Sequence, residues 1–349
     1  MRVSDIETPA VIIDQDVVER NLQTWQKYCN RHGIANRPHI KTHKLLELAR
    51  LQLRLGAVGI TCQKLGEAEV MAQVADDILV TYNVVGQAKL QRLVDLARQI
   101  RLSVTADHPA VVHGLSEAMQ KESRPLPVLV ECDTGLGRCG VQTPVEALDL
   151  AKQIADSQGL QFGGLMTYPT SIPKGTDFMN EVVRLITQAG LSVPVVSGGG
   201  TPQMWDAHEA EVFSEHRAGT YIYHDRYTVE KGAARLDDCA LRVVATVVSR
   251  PTAHRAILDA GSKALSSDLL GLSGHGVIVG FPQASIVRMS EEHGVVESPG
   301  APLTWEIGQR LQIIPNHVCV VSNLFDQVHA IRQNRVEEIW NVAARGRLQ

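Results

Sequence analysis

Apolar residues arrive in short runs, separated by longer stretches in which they recur every third or fourth position. Ala10–Ile13 precedes the periodic stretch Val17–His32, Arg37–Ile40 precedes Leu45–Leu55, and Ala57–Thr61 precedes Gly66–Val74. A short continuous apolar run suits a strand buried on both faces, and helical recurrence suits a helix lying over it. The alternation continues through Asp77–Thr81 and Gln87–Ile100, Arg101–Ala106 and Pro109–Ser123, Pro127–Glu131 and Pro144–Ser157, and Gln161–Thr167 and Asp177–Ala189. It closes with Val193–Ser197 and Phe213–Ala218. About eight strand–helix units in succession predict an α/β fold, a (β/α)8 TIM barrel over residues 14–230.

Beyond residue 230 the helical period nearly vanishes. Leu241–Ser249, Arg255–Asp259, Gly276–Val279, Ser285–Met289, Gly294–Glu297, Arg310–Ile314, Val328–Arg332 and Arg335–Val342 are strand-like runs between Gly, Pro and charged breaks. They predict a C-terminal antiparallel β domain over 231–349, which residues 1–13 are expected to join through the opening strand.

Composition narrows the partners. Lys and Arg number 34 against 38 Asp and Glu, a formal charge of −4, so no basic surface recommends nucleic acid or anionic lipid. No apolar run reaches the roughly 18–20 residues of a membrane-spanning helix, and the opening MRVSDIETPA lacks a signal-peptide core. A cytoplasmic protein without nucleic-acid or membrane partners is expected. The six cysteines contain no CxxC pair, which suits reduced thiols.

Two segments carry candidate chemistry. Arg37-Pro38-His39-Ile40-Lys41 falls where the first full barrel strand ends, and alternation sends His39 and Lys41 to one face. A lysine at that end points into the barrel mouth, where desolvation lowers its pKa and leaves an amine able to form an imine. A solvated basic turn is the alternative. Ser197-Gly198-Gly199-Gly200-Thr201-Pro202 follows a late strand and precedes a helix, so its backbone N–H groups can approach a phosphate; a flexible turn is the alternative. One ligand spans both features: pyridoxal 5′-phosphate (PLP), with its aldehyde at Lys41 and its phosphate at the glycines.

Seven motifs in order extend the picture: Arg37–Lys44, Cys62-Gln63-Lys64, Asp133–Gly140, Ser197–Thr201, Asp259–Lys263, Glu291–Gly294 and Pro315–Cys319. From about Thr8 onward the chain resembles the metal-activated fold-type III pyridoxal enzymes of the D-threonine aldolase and D-serine dehydratase family, whose N-terminal barrel is alanine-racemase-like. The resemblance implies PLP on Lys41, phosphate held by Gly198, Gly199, Gly200 and Thr201, and a divalent metal held by His317 and Cys319. It places Arg138 opposite the pyridine nitrogen and suggests a homodimer whose sites the partner helps to complete. Tyr168 is a candidate for holding the ring; family members commonly follow this tyrosine with His, whereas here Pro169 follows. Tyr221 and Tyr223 project to one side if extended, which makes Tyr221 a candidate phosphate or substrate contact. Gln63 could face the cofactor. His317 and Cys319 face one way on a strand, and imidazole with thiolate suits Zn²⁺, with Mn²⁺ or Mg²⁺ as alternatives. His293, Asp259, Glu291 and Glu292 are further candidates around the metal.

These features imply a lyase acting on D-3-hydroxy amino acids, by dehydration or by retro-aldol cleavage to glycine and an aldehyde. The His-x-Cys pair resembles the dehydratase branch, since aldolases more often show His-x-Asp, and no His follows Tyr168. Dehydration is therefore expected. A metal-free racemase and a non-catalytic PLP carrier are the rival readings.

Overall fold

The computed structural model describes residues 1–168 and 171–349, so Pro169 lies outside the described residues. The chain forms two compact units. One comprises Trp25–Lys41, Leu46–Gly219 and Arg347–Gln349; the other comprises Met1–Thr24, Thr42–Leu45 and Thr220–Gly346.

Strand β1 (Ala10–Asp14) belongs to the second unit and is described with it. The first unit is the barrel. Its strands are β2 (Ala35–Asn36), β3 (Ile60–Cys62), β4 (Asp77–Val80), β5 (Arg101–Ala106), β6 (Leu126–Cys132), β7 (Leu160–Thr167), β8 (Val196–Gly198) and β9 (Glu215–His216). All pair in parallel, in the order β2-β9-β8-β7-β6-β5-β4-β3. A parallel bridge between His39 and Thr61 joins the two ends of that order. Leu79, Leu129 and Met166, from β4, β6 and β7, pack together as buried apolar residues. The periodic stretches form the intervening helices, such as Gln87–Gln99 and Pro144–Asp156, the latter capped by Thr143.

Several strands, β2, β8 and β9 among them, are shorter than the sequence pattern predicts. The run Arg37–Ile40 yields only β2, because Pro38 has no N–H for a ladder, and Lys41 sits in a tight turn over Ile40–Thr42. Pro194 likewise delays β8 to Val196.

The second unit holds β1 and the later strands: β10 (Leu241–Thr252), β11 (Arg255–Leu258), β12 (Val277–Ile278), β13 (Ser285–Met289), β14 (Gly294–Glu297), β15 (Arg310–Ile314), β16 (Gln327–Arg332) and β17 (Arg335–Asn341). The main path runs β13-β14-β11-β10-β1-β16-β17, with β15 pairing β10 and β12. Every pairing is antiparallel except β1 with β16. The opening strand is thus central to this sheet, and its Ile12 packs with Ile6, Val244 and Ile331. Gln333 and Asn334, both at positive φ, turn β16 into β17.

Candidate active site

The C-terminal ends of parallel barrel strands open on one mouth, where barrel enzymes place their chemistry. Lys41 follows β2, Gln63 follows β3, Arg138 follows β6, Tyr168 follows β7, Gly199 to Thr201 follow β8 and Arg217 follows β9. Lys41 Nζ donates to Gln63 Oε1 at 3.5 Å. Gln63 Nε2 donates to Thr81 O at 2.7 Å, which fixes the amide so that its oxygen faces the amine. His39 Nε2 lies 3.2 Å from the same oxygen. His39 and Lys41 therefore share a side, through a bridge and a turn rather than along a continuous strand.

The glycine segment leaves no room for side chains. Gly199 has φ +78°, and a Cβ there would lie 2.0 Å from His216 Cε1. At Gly198 it would meet the Phe213 ring at 2.5 Å, and at Gly200 the Tyr168 ring at 2.9 Å. His216 is buried, and desolvation pushes it down to about 4, so it is neutral. Its Nε2–H donates to Gly200 O at 3.2 Å. A 3-10 segment, Thr201–Glu209, kinked at Gln203, starts directly after Gly200, so the N–H groups at its start lack intrahelical acceptors.

Two guanidinium groups lie at this mouth. Arg138 is exposed, in a turn shaped by Asp133, whose carboxylate accepts the N–H groups of Gly135, Leu136 and Gly137. Its Cζ lies 5.8 Å from the Tyr168 ring centroid. Arg217 is buried and donates to Ser197 Oγ at 2.6 Å and to Thr167 O at 2.7 Å. Burial pushes it down to about 10, with Glu215 and Glu131 opposing. Sequence reasoning missed Arg217. Glu131, also buried, is raised by desolvation, against the pull of Arg138 and Arg217.

The second unit holds the other candidates. His317 does not lie on a strand: it precedes the short helix Val318–Leu324, and Cys319 is that helix's second residue. They still interact. Burial disfavours a charged His317, but the Cys319 sulfur and the Asp225 carboxylate prevail and push it up to about 11. His317 Nδ1 lies 3.0 Å from Asp225 Oδ2. Thr42 Oγ1 and Thr220 Oγ1 lie 3.3 and 3.9 Å from Cys319 Sγ. Tyr221 is buried in a turn over Thr220–Ile222, so it and Tyr223 are not the extended pair that alternation suggests. Asp259 is committed to Thr8 and to the backbone of Thr246, and Glu292 pairs with Lys263. Among the described residues no group of three or more His, Cys, Asp or Glu is arranged to hold a metal alone. Cys29, Cys62, Cys132 and Cys239 are free and buried, as expected of reduced thiols.

The "Alanine racemase, N-terminal domain" family matches residues 13–227, and the "Putative serine dehydratase domain" family matches residues 240–331. A D-threonine aldolase from Arthrobacter sp. is 36% identical over 98% of this chain and 93% of its own length. The chain belongs to the D-threonine aldolase and D-serine dehydratase family. It is therefore an enzyme, a PLP-dependent lyase. Within this family, the D-threonine aldolase of Filomicrobium marinum superposes with a TM-score of 0.93, 33% identity and coverage of 99% and 98% of the two chains. The D-threo-3-hydroxyaspartate dehydratase of Delftia sp. HT23 gives a TM-score of 0.91 at 28% identity, covering 97% and 98%. Two solved variants of a dehydratase of that name replace by alanine a histidine and, two positions on, a cysteine; the cysteine variant is in the metal-free form. No helix among the described residues is long and apolar enough to cross a membrane.

The family's groups fit these residues. An amine stands at the mouth, and on the same mouth a glycine segment lies so close to the Phe213, His216 and Tyr168 side chains that no Cβ fits. In the second unit an imidazole whose Nδ1 is taken by Asp225 keeps Nε2 for a metal, next to a thiol.

Proposed function

We propose that this lyase acts on D-3-hydroxy amino acids with PLP and a divalent metal, and that it dehydrates them to a 2-oxo acid and ammonia. The carrying observation is the His317–Cys319 pair backed by Asp225. When bound, PLP supplies the electron sink at Cα and the metal supplies Lewis acidity at the β-hydroxyl. Lys41 holds the cofactor and, once freed, takes the Cα proton on Nζ, which Gln63 Oε1 orients. Gly198, Gly199, Gly200 and Thr201 hold the phosphate, and Tyr168 and Tyr221 support the cofactor. Arg138, exposed at the rim, would meet the cofactor ring, and Arg217 is a buried guanidinium at the same mouth. His317 and Cys319 hold the metal, with Asp225 fixing the imidazole tautomer. Nitrogen and sulfur donors favour Zn²⁺ over Mn²⁺ and Mg²⁺.

Retro-aldol cleavage is the second reading, supported by the 36% identity to a D-threonine aldolase. Incubation with D-threonine separates them. Release of 2-oxobutyrate with ammonia supports dehydration; glycine with acetaldehyde replaces it by cleavage. No product from any D-3-hydroxy amino acid in the presence of PLP and Zn²⁺ overturns the substrate assignment.

A further inference from the structure

A row of alternating charges runs through the interior of the barrel unit. Arg217 Nη1 donates to Ser197 Oγ, and Ser197 Oγ donates to Glu215 Oε1, both at 2.6 Å. Glu215 Oε2 accepts from Arg37 Nε at 2.6 Å, and Arg37 Nη1 donates to Asp77 Oδ1 at 2.6 Å. Asp77 Oδ2 lies 3.5 Å from Arg101 Nε, whose side chain is exposed. Strand alternation explains the inner end: Glu215 and Arg217 share one face, and His216 between them packs against Trp25.

We infer that Ser197 and Glu215 are positioning residues for the cofactor: they hold Arg217 charged and fixed at the barrel mouth, and Ser197 is the link through which Glu215 acts. This rests on the assignment of PLP to Lys41. Ser197 has one proton, which goes to Glu215, so its lone pair is what receives Arg217; the hydroxyl bonds both ways only in that sense. Arg217 is faced by Glu131 from β6, Tyr168 after β7, Ser197 from β8, Arg37 after β2, and Glu215 and His216 on its own strand. His216 is neutral, so Glu131 and Glu215 are the negative charges that support the buried guanidinium. A guanidinium kept charged has no lone pair to offer, and a cofactor atom facing it must act as acceptor. The cofactor's own proton equilibrium then senses the row.

The test uses PLP-loaded protein and follows the absorption of the bound cofactor against pH, together with PLP affinity and thermal midpoint. Ser197→Ala removes one hydroxyl and leaves both charges, and the thermal midpoint reports whether the chain stays folded. Its PLP dissociation constant is expected to rise about tenfold, as for loss of a charge-assisted hydrogen bond, and its spectral transition to move to lower pH. Glu215→Gln should shift the transition further in the same direction, with Glu215→Asp recovering part of the shift. Spectral titrations and affinities that superimpose on wild type in a folded Ser197→Ala protein overturn this inference alone. If borohydride fixes no cofactor to wild-type protein, or fixes it equally in Lys41→Ala, the Lys41 assignment falls and this inference with it.

Discussion

Asp225 Oδ2, wholly buried, accepts from His317 Nδ1 at 3.0 Å and from the Val318 N–H at 3.1 Å. Its other oxygen caps the helix Arg226–Glu230 by accepting the Thr228 N–H at 2.9 Å. Oδ2 is thus the acceptor for Nδ1–H, so a neutral His317 has one tautomer and presents the Nε2 lone pair. Asp225→Asn keeps the volume but turns an N–H toward one of these donors. Zn²⁺ affinity, measured by competition with a chelator, should fall about 10- to 100-fold while circular dichroism shows a folded chain. An unchanged affinity would detach Asp225 from the metal.

Gly199 is the least replaceable of the three consecutive glycines. A side chain there combines φ +78° with a Cβ 2.0 Å from the His216 ring, costing roughly 2 kcal/mol or more. Gly199→Ala should lower the denaturation midpoint and weaken PLP binding at least as much as Gly200→Ala, whose Cβ meets only the movable Tyr168 ring at 2.9 Å. PLP binding as tight as wild type in Gly199→Ala would move the phosphate elsewhere.

The barrel was legible because its runs switch between helical and strand periods, and the second unit because its runs keep the strand period. Lys41 was legible as a lysine at a strand end, although Pro38 shortens that strand. Arg217 had a signal that went unread: Glu215 and Arg217 flank His216 at strand spacing, which aims two charges into a barrel. His317 and Cys319 looked like strand residues because Val318, Val320 and Val321 are β-branched; tertiary packing makes the segment a helix. Asp225 had no signal, since only the fold joins it to a histidine 92 residues away.

Chelation tests whether this lyase needs a metal. Dialysis against EDTA should abolish product formation from D-threonine while the absorption of bound PLP persists, and Zn²⁺ should restore turnover. His317→Ala and Cys319→Ala should lose turnover without restoration at the same Zn²⁺ concentration. Full activity after chelation would show that the lyase works without a metal.

His224 gives the acid sensitivity a defined sign. It is buried at φ +47°, its Nδ1 has no hydrogen-bond partner among the described residues, and burial pushes it down to about 4 from 6.5. The unfolded chain therefore binds the proton first as pH falls, so this residue's contribution is fully present above 6.5 and is lost as pH drops toward 4. Between pH 7 and pH 5 the loss is about 2 kcal/mol. Asn tolerates positive φ and does not titrate. In urea denaturation, His224→Asn should lose about 2 kcal/mol less stability than wild type over that interval, the remaining decline including His216, also held near 4. Parallel stability curves for the two proteins would show that His224 titrates alike in the folded and unfolded chains.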